Sequence, residues 1–326
     1  MKGGREPMPE GLRPMKARLS KGLPADDESF GYEIKWDGVR ALAYVQRGKV
    51  MLESRTGRDI TAQFPEAAAL AKPLGRRQAV IDGELVAFDE AGRPSFQVLQ
   101  GRIHLASAPQ VRERMRSIPV TLMAFDVLHL GGRSTRDLPY EERREVLEGL
   151  GLKGPGLETP RWHRGDGPAL LEVSRERGLE GVIAKRLGSR YLPGKRSDAW
   201  LKVKNHRSQE VVIGGWLPGK GRRSGTLGAL LAGYYEGDEL RYAGKVGTGF
   251  SEDDLRRLVE RLTPLRREQS PFSGRQPERG SIFVEPKLVG EVEFGEWTNA
   301  GTMRHPAFKG LRVDKPARDV VREERP

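Results

Sequence analysis

The spacing of apolar and polar residues divides the first part of the chain into short strands and a few helices. Strand patterns, either alternating with a period of two or apolar throughout, occur at residues 41–45, 50–52, 79–88, 120–127, 181–186 and 199–204. Spacing typical of helices occurs at residues 65–71, 140–150 and 169–177. Together these elements predict an α+β domain that is rich in antiparallel strands.

Turn residues add three expectations for this region. The polar turn at residues 47–49 should join its flanking strands as a hairpin, which would bring Arg55 back towards Lys35. Gly83 is expected to bend residues 79–88 into a pair of strands. Residues 1–30 show no comparable pattern and are expected to form a loosely ordered arm.

The second part of the chain has a different pattern. Residues 205–210 are polar and are interpreted as a linker, so the chain is predicted to form domains at 1–208 and 209–326. One helix is expected at residues 252–265. Short strands are expected at residues 211–216, 227–235, 239–246, 281–287 and 290–294. This pattern predicts a small OB-fold β-barrel, although an SH3-like barrel would give much the same sequence.

Composition narrows the class of protein. The chain has 326 residues, 37% of them hydrophobic and 31% charged, which allows two cores. No apolar run approaches the roughly 20 residues of a membrane-spanning helix, and the N-terminus has no signal-peptide core, so a cytoplasmic protein is expected. The absence of cysteine excludes disulfides and thiolate metal sites. The histidines show no metal-ligand spacing: His104, His129, His163, His206 and His305.

Charge favours a polyanionic partner. The net charge is +12, of which residues 1–208 carry +10 and residues 209–326 carry +2. A basic excess of this size suits nucleic acid, although solubility alone can also explain it. The excess lies in the domain that also contains the candidate chemistry.

That chemistry centres on Lys35, within the sequence Glu-Ile-Lys-Trp-Asp-Gly-Val-Arg at residues 33–40. The neighbours Ile34 and Trp36 favour a partly desolvated amine, and Arg40 adds a positive charge that favours a neutral amine and attracts phosphate. A strand that ends in an Asp-Gly turn would explain the same residues without any chemistry. By itself the motif is short and weak evidence.

Other short motifs follow in a fixed order. They are Ser-Arg-Thr-Gly at 54–57, Asp-Gly-Glu at 82–84, Phe-Asp-Val at 125–127, Glu-Gly-Val-Ile-Ala-Lys at 180–185 and Trp-Leu-Lys-Val-Lys at 200–204. With these motifs the sequence resembles the ATP-dependent DNA ligases, which belong to the covalent nucleotidyltransferase superfamily. The resemblance extends over residues 33–315 and implies a nucleotidyltransferase (adenylation) domain followed by an OB-fold domain.

The resemblance also implies roles for individual residues. Lys35 would be the nucleophile that takes AMP from ATP, and Glu84 and Glu180 would hold the ribose hydroxyl and a divalent ion, Mg²⁺ or Mn²⁺. Glu33 would accept a hydrogen bond from the adenine amino group, and Phe125 would stack on the purine. The other residues implied in nucleotide binding are Ile34, Arg40, Arg55, Arg196, Lys202, Lys204, Arg312 and Lys315.

A last motif narrows the resemblance. Residues 304–315 read Arg-His-Pro-Ala-Phe-Lys-Gly-Leu-Arg-Val-Asp-Lys, which is similar to the end of the ligase domain in bacterial non-homologous end-joining ligases of the ligase D type. It implies that Arg312 and Lys315 orient pyrophosphate, and that nicked or broken duplex DNA and the end-binding protein Ku are partners. The chain would be a free-standing minimal ligase or one domain of a larger enzyme.

Two alternatives remain open from the residues. An RNA ligase or a capping-type guanylyltransferase would use the same lysine chemistry, and preference for GTP or for RNA ends would favour it. A non-catalytic OB-type nucleic-acid binder would form no covalent nucleotide adduct.

Overall fold

The computed structural model describes residues 6–103, 105, 107–219, 221 and 225–323. The chain divides into two compact units, with the boundary between Asn205 and His206. No helix within these described ranges is both long and apolar enough to cross a membrane. His104, one of the histidines considered above, lies outside the described residues.

The N-terminal unit contains two sheets. The first has the strand order β1-β12-β11-β2-β10, and its strands are β1 (Lys16–Leu19), β2 (Phe30–Ile34), β10 (His163–Arg164), β11 (Gly181–Arg186) and β12 (Arg196–Lys204). Pairing is antiparallel except between β1 and β12. The central strand β11 therefore lies between β2 and β12, so residues from these three strands are neighbours.

The second sheet has the order β4-β3-β5-β6-β9-β8, with β7 added beside β6. Its strands are β3 (Val39–Gln46), β4 (Lys49–Ser54), β5 (Ala79–Ala87), β6 (Val120–Leu130), β7 (Arg133–Ser134), β8 (Lys153–Gly154) and β9 (Leu157–Glu158). Trp200 from the first sheet packs in one apolar cluster with Leu42, Val80 and Leu128 from the second. The core of this unit thus lies between the two sheets.

Helices cover the sheets of the N-terminal unit. They are α1 (Ala71–Leu74), α2 (Phe96–Ile103), α3 (Ala108–Ser117), α4 (Tyr140–Glu148) and α5 (Gly167–Glu176), and a 3-10 helix at Pro65–Leu70 precedes α1. The predicted helix at 65–71 is therefore mostly a 3-10 helix. Helices α2 and α3 are not among the predicted elements.

Two predictions for the N-terminal unit are wrong. Residues 79–88 are not a bent strand pair, because β5 runs unbroken through Gly83. A Cβ at residue 83 would lie 2.8 Å from the carbonyl oxygen of Met123 on β6, so glycine permits a close approach of two strands there. The N-terminal arm is also more ordered than expected. Met15 is 1% exposed and donates its backbone N–H to the Tyr191 hydroxyl at 2.8 Å, directly before strand β1.

The C-terminal unit is built around one long strand, β13 (Arg207–Pro218), which pairs with three others. Around it lie β14 (Leu227–Glu236), β15 (Glu239–Val246), β16 (Arg266–Arg267), β17 (Ile282–Val284), β18 (Val289–Phe294) and β21 (Ala307–Arg312), with a separate small pair β19 (Glu296–Trp297) and β20 (Met303–Arg304). Helix α6 (Glu252–Leu262) packs on this sheet, and Leu258 and Leu262 join its core.

Local sequence explains where α6 begins. The Ser251 hydroxyl accepts the backbone N–H of Asp254, and the Asp254 carboxylate accepts the backbone N–H of Ser251 in return. The predicted end at residue 265 includes a 3-10 turn, Thr263–Leu265, that follows the α-helix.

Three details of the C-terminal unit differ from the sequence prediction. The linker is much shorter than residues 205–210, because β12 ends at Lys204 and β13 begins at Arg207. The last strand, β21, was not predicted. An isolated bridge pairs Thr248, just after the end of β15, with Ala307 on β21. The described strands nevertheless do not form a closed barrel.

Candidate active site

Three strand ends meet where Lys35 lies. Strand β2 ends at Ile34, and its neighbour β11 begins at Gly181, whose carbonyl accepts the backbone N–H of Lys35 at 2.9 Å. On the other side of β11, Gly181 pairs with Lys204 at the end of β12. The antiparallel register therefore brings Lys35, Glu180 and Lys204 together at the ends of three neighbouring strands, although they are far apart in sequence.

The side chains at these strand ends form a charged cluster. The Lys35 amine donates to Oε2 of Glu180, and the Lys204 amine lies 3.6 Å from the other oxygen, Oε1. Burial by itself would raise the pKa of Glu180, but the charges of Lys35 and Lys204 outweigh it and lower the pKa. Glu180 therefore stays ionised. The Lys35 side chain is 21% exposed, so it is partly accessible to solvent.

Glycine at position 181 is needed for this arrangement. Its φ of +142° is unfavourable for other residues, and a Cβ there would lie 2.0 Å from the carbonyl oxygen of Val203. Asp37, from the Lys-x-Asp-Gly motif, accepts the backbone N–H of Phe96 at 3.1 Å and so anchors the first residue of helix α2. This contact of Asp37 is structural.

Arg40 makes contacts that the sequence did not predict. Its guanidinium donates to both oxygens of Asp82, at 2.5 and 2.6 Å, and Asp82 also accepts from the Tyr191 hydroxyl at 2.6 Å. Burial disfavours the charged guanidinium, but the fully buried Asp82 raises the pKa of Arg40. Arg40 therefore keeps its positive charge, and the carboxylate of Asp82 offsets part of the field that this charge exerts on Lys35.

Glu33 lies at the end of β2 in an enclosed, hydrogen-bonded setting. It is 2% exposed, and its Oε1 accepts from the Tyr140 hydroxyl at 2.5 Å and from the Lys185 amine at 2.8 Å. The Arg144 guanidinium lies 3.8 Å from the same oxygen. A second buried pair, between Arg143 and Asp126 at 2.8 and 3.0 Å, fixes helix α4 on strand β6.

Phe125 lies beside two cations. The Arg40 guanidinium and the Lys185 amine are each 4.5 Å from the centre of its ring. The Lys185 amine is also 4.4 Å from the Trp200 ring. Contacts of this kind between cations and aromatic rings are favourable when desolvated, so Phe125 is held firmly in place.

The other predicted residues occupy different positions. Glu84 on β5 lies opposite Arg40 on β3. Arg55 directly follows Ser54, the last residue of β4, which lies opposite Ala41 on β3. Lys202 is partly buried, two residues before Lys204 on β12. Arg196 is exposed at the other end of β12, and an irregularity in the pairing of β12 with β1 lies between it and Lys204. The structure does not bring Arg196 to the Lys35 cluster.

The described residues contain no group of three or more side chains of the types His, Cys, Asp and Glu that could enclose a metal ion. A hard divalent ion such as Mg²⁺ keeps most of its water ligands and binds through one or two carboxylates together with substrate phosphates. Glu180 and Glu84 are of the right chemical type, and Glu180 stays ionised.

The C-terminal motif forms a cluster of its own. Arg312 donates to both oxygens of Asp314, at 3.0 and 3.1 Å, and to Glu291 at 3.2 Å. The Lys315 amine donates to Glu210. Burial opposes the charge of Arg312, but Asp314 and Glu291 raise its pKa. Arg312 and Lys315, the predicted phosphate ligands of this unit, are therefore both paired with carboxylates.

Sequence reasoning assigned no role to several residues around Glu33 and Phe125. Tyr140 had only been predicted to start a helix, and Lys185 was noted only as the last residue of a motif. The available signal was the placement of Lys185 in an otherwise apolar strand, where a lysine needs a buried partner. The identity of that partner depends on the pairing of β11 with β2.

Two family models match this chain. The one described as the ATP dependent DNA ligase domain covers residues 14–204, and the one described as the ATP dependent DNA ligase C terminal region covers residues 223–315. The matches therefore include the Lys35 cluster and the Arg312 cluster.

Curated relatives and a solved structure agree with these matches. The multifunctional non-homologous end joining protein LigD of Mycolicibacterium smegmatis is 42% identical over 326 residues, which cover 99% of this chain and 41% of that protein. The protein of the same description from Pseudomonas aeruginosa is 40% identical, with 98% and 38% covered. This chain thus spans about two fifths of these relatives. A structure of mycobacterial DNA ligase D complexed with ATP and MES shares 41% identity at a TM-score of 0.68, covering 95% of this chain and 98% of that one.

The family models and the relatives over nearly the full length of the chain point to the same assignment. The chain belongs to the ATP-dependent DNA ligases of the covalent nucleotidyltransferase superfamily.

Proposed function

We propose that this chain uses ATP to seal breaks in DNA between a 5′-phosphate and a 3′-hydroxyl. The observation that carries the proposal is the Lys35 amine, which is partly exposed beside Glu180 and Lys204 where three strand ends meet. This arrangement supplies a positioned nucleophile and positive charge for a phosphate, in a chain of the ATP-dependent DNA ligase family.

In the first step the Lys35 ammonium releases a proton to solvent, which frees the lone pair of its nitrogen for attack on the α-phosphorus of ATP. A nitrogen–phosphorus bond forms, the bond from the α-phosphorus to the bridging oxygen breaks, pyrophosphate leaves, and the nitrogen loses a second proton to solvent. The ion pair with Glu180 holds the amine in place before the reaction and must open when the phosphate arrives. Lys202 and Lys204 are proposed to neutralise the charge that develops on the α-phosphate.

Two further transfers complete the reaction. An oxygen of the DNA 5′-phosphate attacks the phosphorus of the lysyl-AMP, which releases Lys35 and forms a DNA-adenylate. The 3′-hydroxyl then attacks the 5′-phosphorus, and AMP leaves as the phosphodiester forms. In all three steps the protein contributes alignment and charge neutralisation.

The nucleotide would bind across the strand ends described above. Glu33 is proposed to accept from the adenine amino group, Ile34 to contact the base and Phe125 to stack on it. Arg40, Arg55 and Glu84 are proposed ligands of the ribose and phosphates. The position of Arg196 favours a separate phosphate contact over one beside Lys35.

A divalent ion, Mg²⁺ or Mn²⁺, is proposed to bind with ATP through Glu180 and Glu84. It would neutralise phosphate charge during the transfers. Arg312 and Lys315 are proposed to orient the pyrophosphate leaving group, which requires them to exchange their carboxylate partners for phosphate oxygens.

The direct test follows the label from nucleotide to protein to DNA. The protein is incubated with ATP labelled at the α-phosphate and with Mg²⁺, separated on a denaturing gel, and then mixed with nicked duplex DNA. We expect a covalent adduct with ATP that disappears when DNA is added, as sealed product appears. An adduct with GTP alone, or sealing of RNA ends alone, would support the alternative nucleotidyltransferases, and the absence of any adduct would contradict the proposal.

The proposed biological role is the repair of double-strand breaks by non-homologous end joining. It is supported by the relatives named as end-joining proteins and by the net charge of +10 on residues 1–208. Contacts to DNA are expected to be mainly from lysine and arginine to phosphate, because a sealing enzyme must accept any sequence at the break.

Joining of duplex ends is expected to depend on Ku and on salt. Binding to duplex DNA should weaken steeply as salt rises, with log K falling by about 0.9 per log unit for each phosphate neutralised. At near-physiological salt we therefore expect bacterial Ku to stimulate the joining of linear duplexes. The measurement compares this joining with sealing of a single nick in circular DNA under the same conditions. Efficient nick sealing with no effect of Ku on ends would favour a general nick-repair ligase.

A further inference from the structure

The contacts of Glu33 are all on one of its two oxygens. The Tyr140 hydroxyl and the Lys185 amine both donate to Oε1, and Arg144 is nearest to the same atom. Within the described part of the chain no donor reaches Oε2, and Oε2 is not one of the enclosed polar atoms that lack a partner. Oε2 therefore keeps some access from outside and remains available as an acceptor.

The two donors are themselves fixed in position. Tyr140 is fully buried, and its ring meets that of Trp162 edge to face, with the ring centres 5.5 Å apart. The Lys185 amine is surrounded by the rings of Trp200, Phe125 and Tyr140, at 4.4, 4.5 and 5.1 Å. With both donors held in this way, the Glu33 carboxylate cannot rotate without losing two buried hydrogen bonds.

Burial also sets the protonation of this group of residues. Burial, together with the neighbouring Glu33, raises the pKa of Tyr140 well above its ordinary value, so its hydroxyl remains a donor. Burial lowers the pKa of Lys185, while Glu33 and Asp126 oppose that effect. The Glu33 carboxylate, paired with the Lys185 amine, presents acceptor atoms, so its accessible Oε2 accepts N–H groups and repels carbonyl oxygens.

This chemistry distinguishes the two purines. Adenine carries an amino group at C6, which can donate to Oε2, whereas guanine carries a carbonyl oxygen at that position. A site built to bind a donor discriminates against analogues that lack it, because its own buried polar group is then left unpaired. The same Lys185 amine also contacts Phe125, the proposed stacking partner of the base.

We propose that Tyr140 and Lys185 are positioning residues for adenine selection: by holding Oε1 of Glu33 they direct Oε2 towards the 6-amino group of the base. The proposal rests on the function proposed above. It adds two residues that act through Glu33, and through Phe125 in the case of Lys185.

The test compares two nucleotides that differ only in the 6-amino group. Rates of covalent adduct formation are measured with ATP and with purine riboside triphosphate, which has hydrogen at C6. For the full-length wild-type chain we expect kcat/KM to be at least about tenfold higher with ATP, the size of effect typical of one hydrogen bond to a charged group. In Tyr140→Phe the value for ATP should fall by about tenfold, and the value for the analogue should change little. Lys185→Met should show the same selective loss.

A matched control is Tyr44→Phe. Tyr44 is a buried tyrosine that accepts one hydrogen bond, from the Leu12 backbone N–H at 3.1 Å, and it lies outside the proposed site. Any effect of this change should be equal for the two nucleotides. Equal losses with both nucleotides in Tyr140→Phe and Lys185→Met would show a merely structural role and overturn the inference.

The wild-type comparison tests the premise of adenine selection without relying on any variant. Equal kcat/KM for ATP and the analogue would overturn adenine selection while leaving the ligase proposal in place. No adduct with any nucleotide would overturn the ligase proposal itself, and this inference with it.

Discussion

Replacing Lys35 with alanine is expected to abolish the covalent adduct with ATP completely. The adduct requires a nitrogen–phosphorus bond, and only an amine at this position can form it. Lys204 is not expected to take over this role, because its side chain is only 8% exposed and lies against the opposite oxygen of Glu180. The measurement is transfer of the α-phosphate label from ATP to protein on a denaturing gel.

The variant Lys35→Arg separates loss of the nucleophile from loss of the positive charge. Lys35→Arg keeps a positive side chain next to Glu180, so the ion pair can be retained, but a guanidinium does not serve as the nucleophile. We expect no adduct with this variant either. Both variants should retain part of the sealing of a nick that is already adenylated, since there the 3′-hydroxyl is the nucleophile.

The control for Lys35 is Lys49→Ala, at an exposed lysine in the β3–β4 hairpin. It should label with ATP like the wild type. A Lys35→Ala protein that still forms the adduct would disprove the assignment of the nucleophile, whatever the effect on DNA sealing.

Replacing Arg312 or Lys315 with alanine is expected to slow reaction with ATP by about 100-fold, the size of effect seen when a group that stabilises developing charge is removed. Their proposed role is to orient pyrophosphate, which is present only in the first step. Sealing of DNA that is already adenylated should therefore be much less affected. The measurement is the rate of adduct formation compared with the rate of sealing of a pre-adenylated nick.

Stability must be measured alongside these rates. Arg312 pairs with Asp314, whose side chain is 2% exposed, and loss of one partner of such a buried pair typically costs about 3–5 kcal/mol. Lys315→Ala is the cleaner variant, because its partner Glu210 is more exposed, at 16%. The matched control is Lys287→Ala, an exposed lysine paired with Glu285 in the same unit.

Two outcomes would contradict the role in the first step. If Lys315→Ala seals pre-adenylated DNA as poorly as it reacts with ATP, the residue acts throughout the reaction. If it reacts with ATP normally, it has no role with pyrophosphate.

Much of the fold could be predicted because its signals are local. Apolar runs and period-two patterns located β3, β4, β6, β11, β14 and β15, and a polar turn located the β3–β4 hairpin. Helices α2 and α3 were missed for a physical reason. Helix α3 is rich in arginine and buries only Val111, so it shows no clear apolar stripe. Helix α2 places Phe96, Leu99 and Ile103 at helical spacing, but it is short and contains a glycine, which weakens the signal.

By itself the sequence determined the α+β fold class with an OB-fold unit, the family, and the candidate nucleophile Lys35, because each of these depends on local patterns and ordered motifs. Which side chains meet was decided only by the tertiary structure. Strand pairing brings Glu180 to Lys35 and places Arg196 at the far end of β12, and packing of α4 brings Tyr140 to Glu33. A buried charge takes its partner from whichever strand or helix lies opposite, and that partner is fixed by register and packing between distant segments rather than by neighbours in sequence.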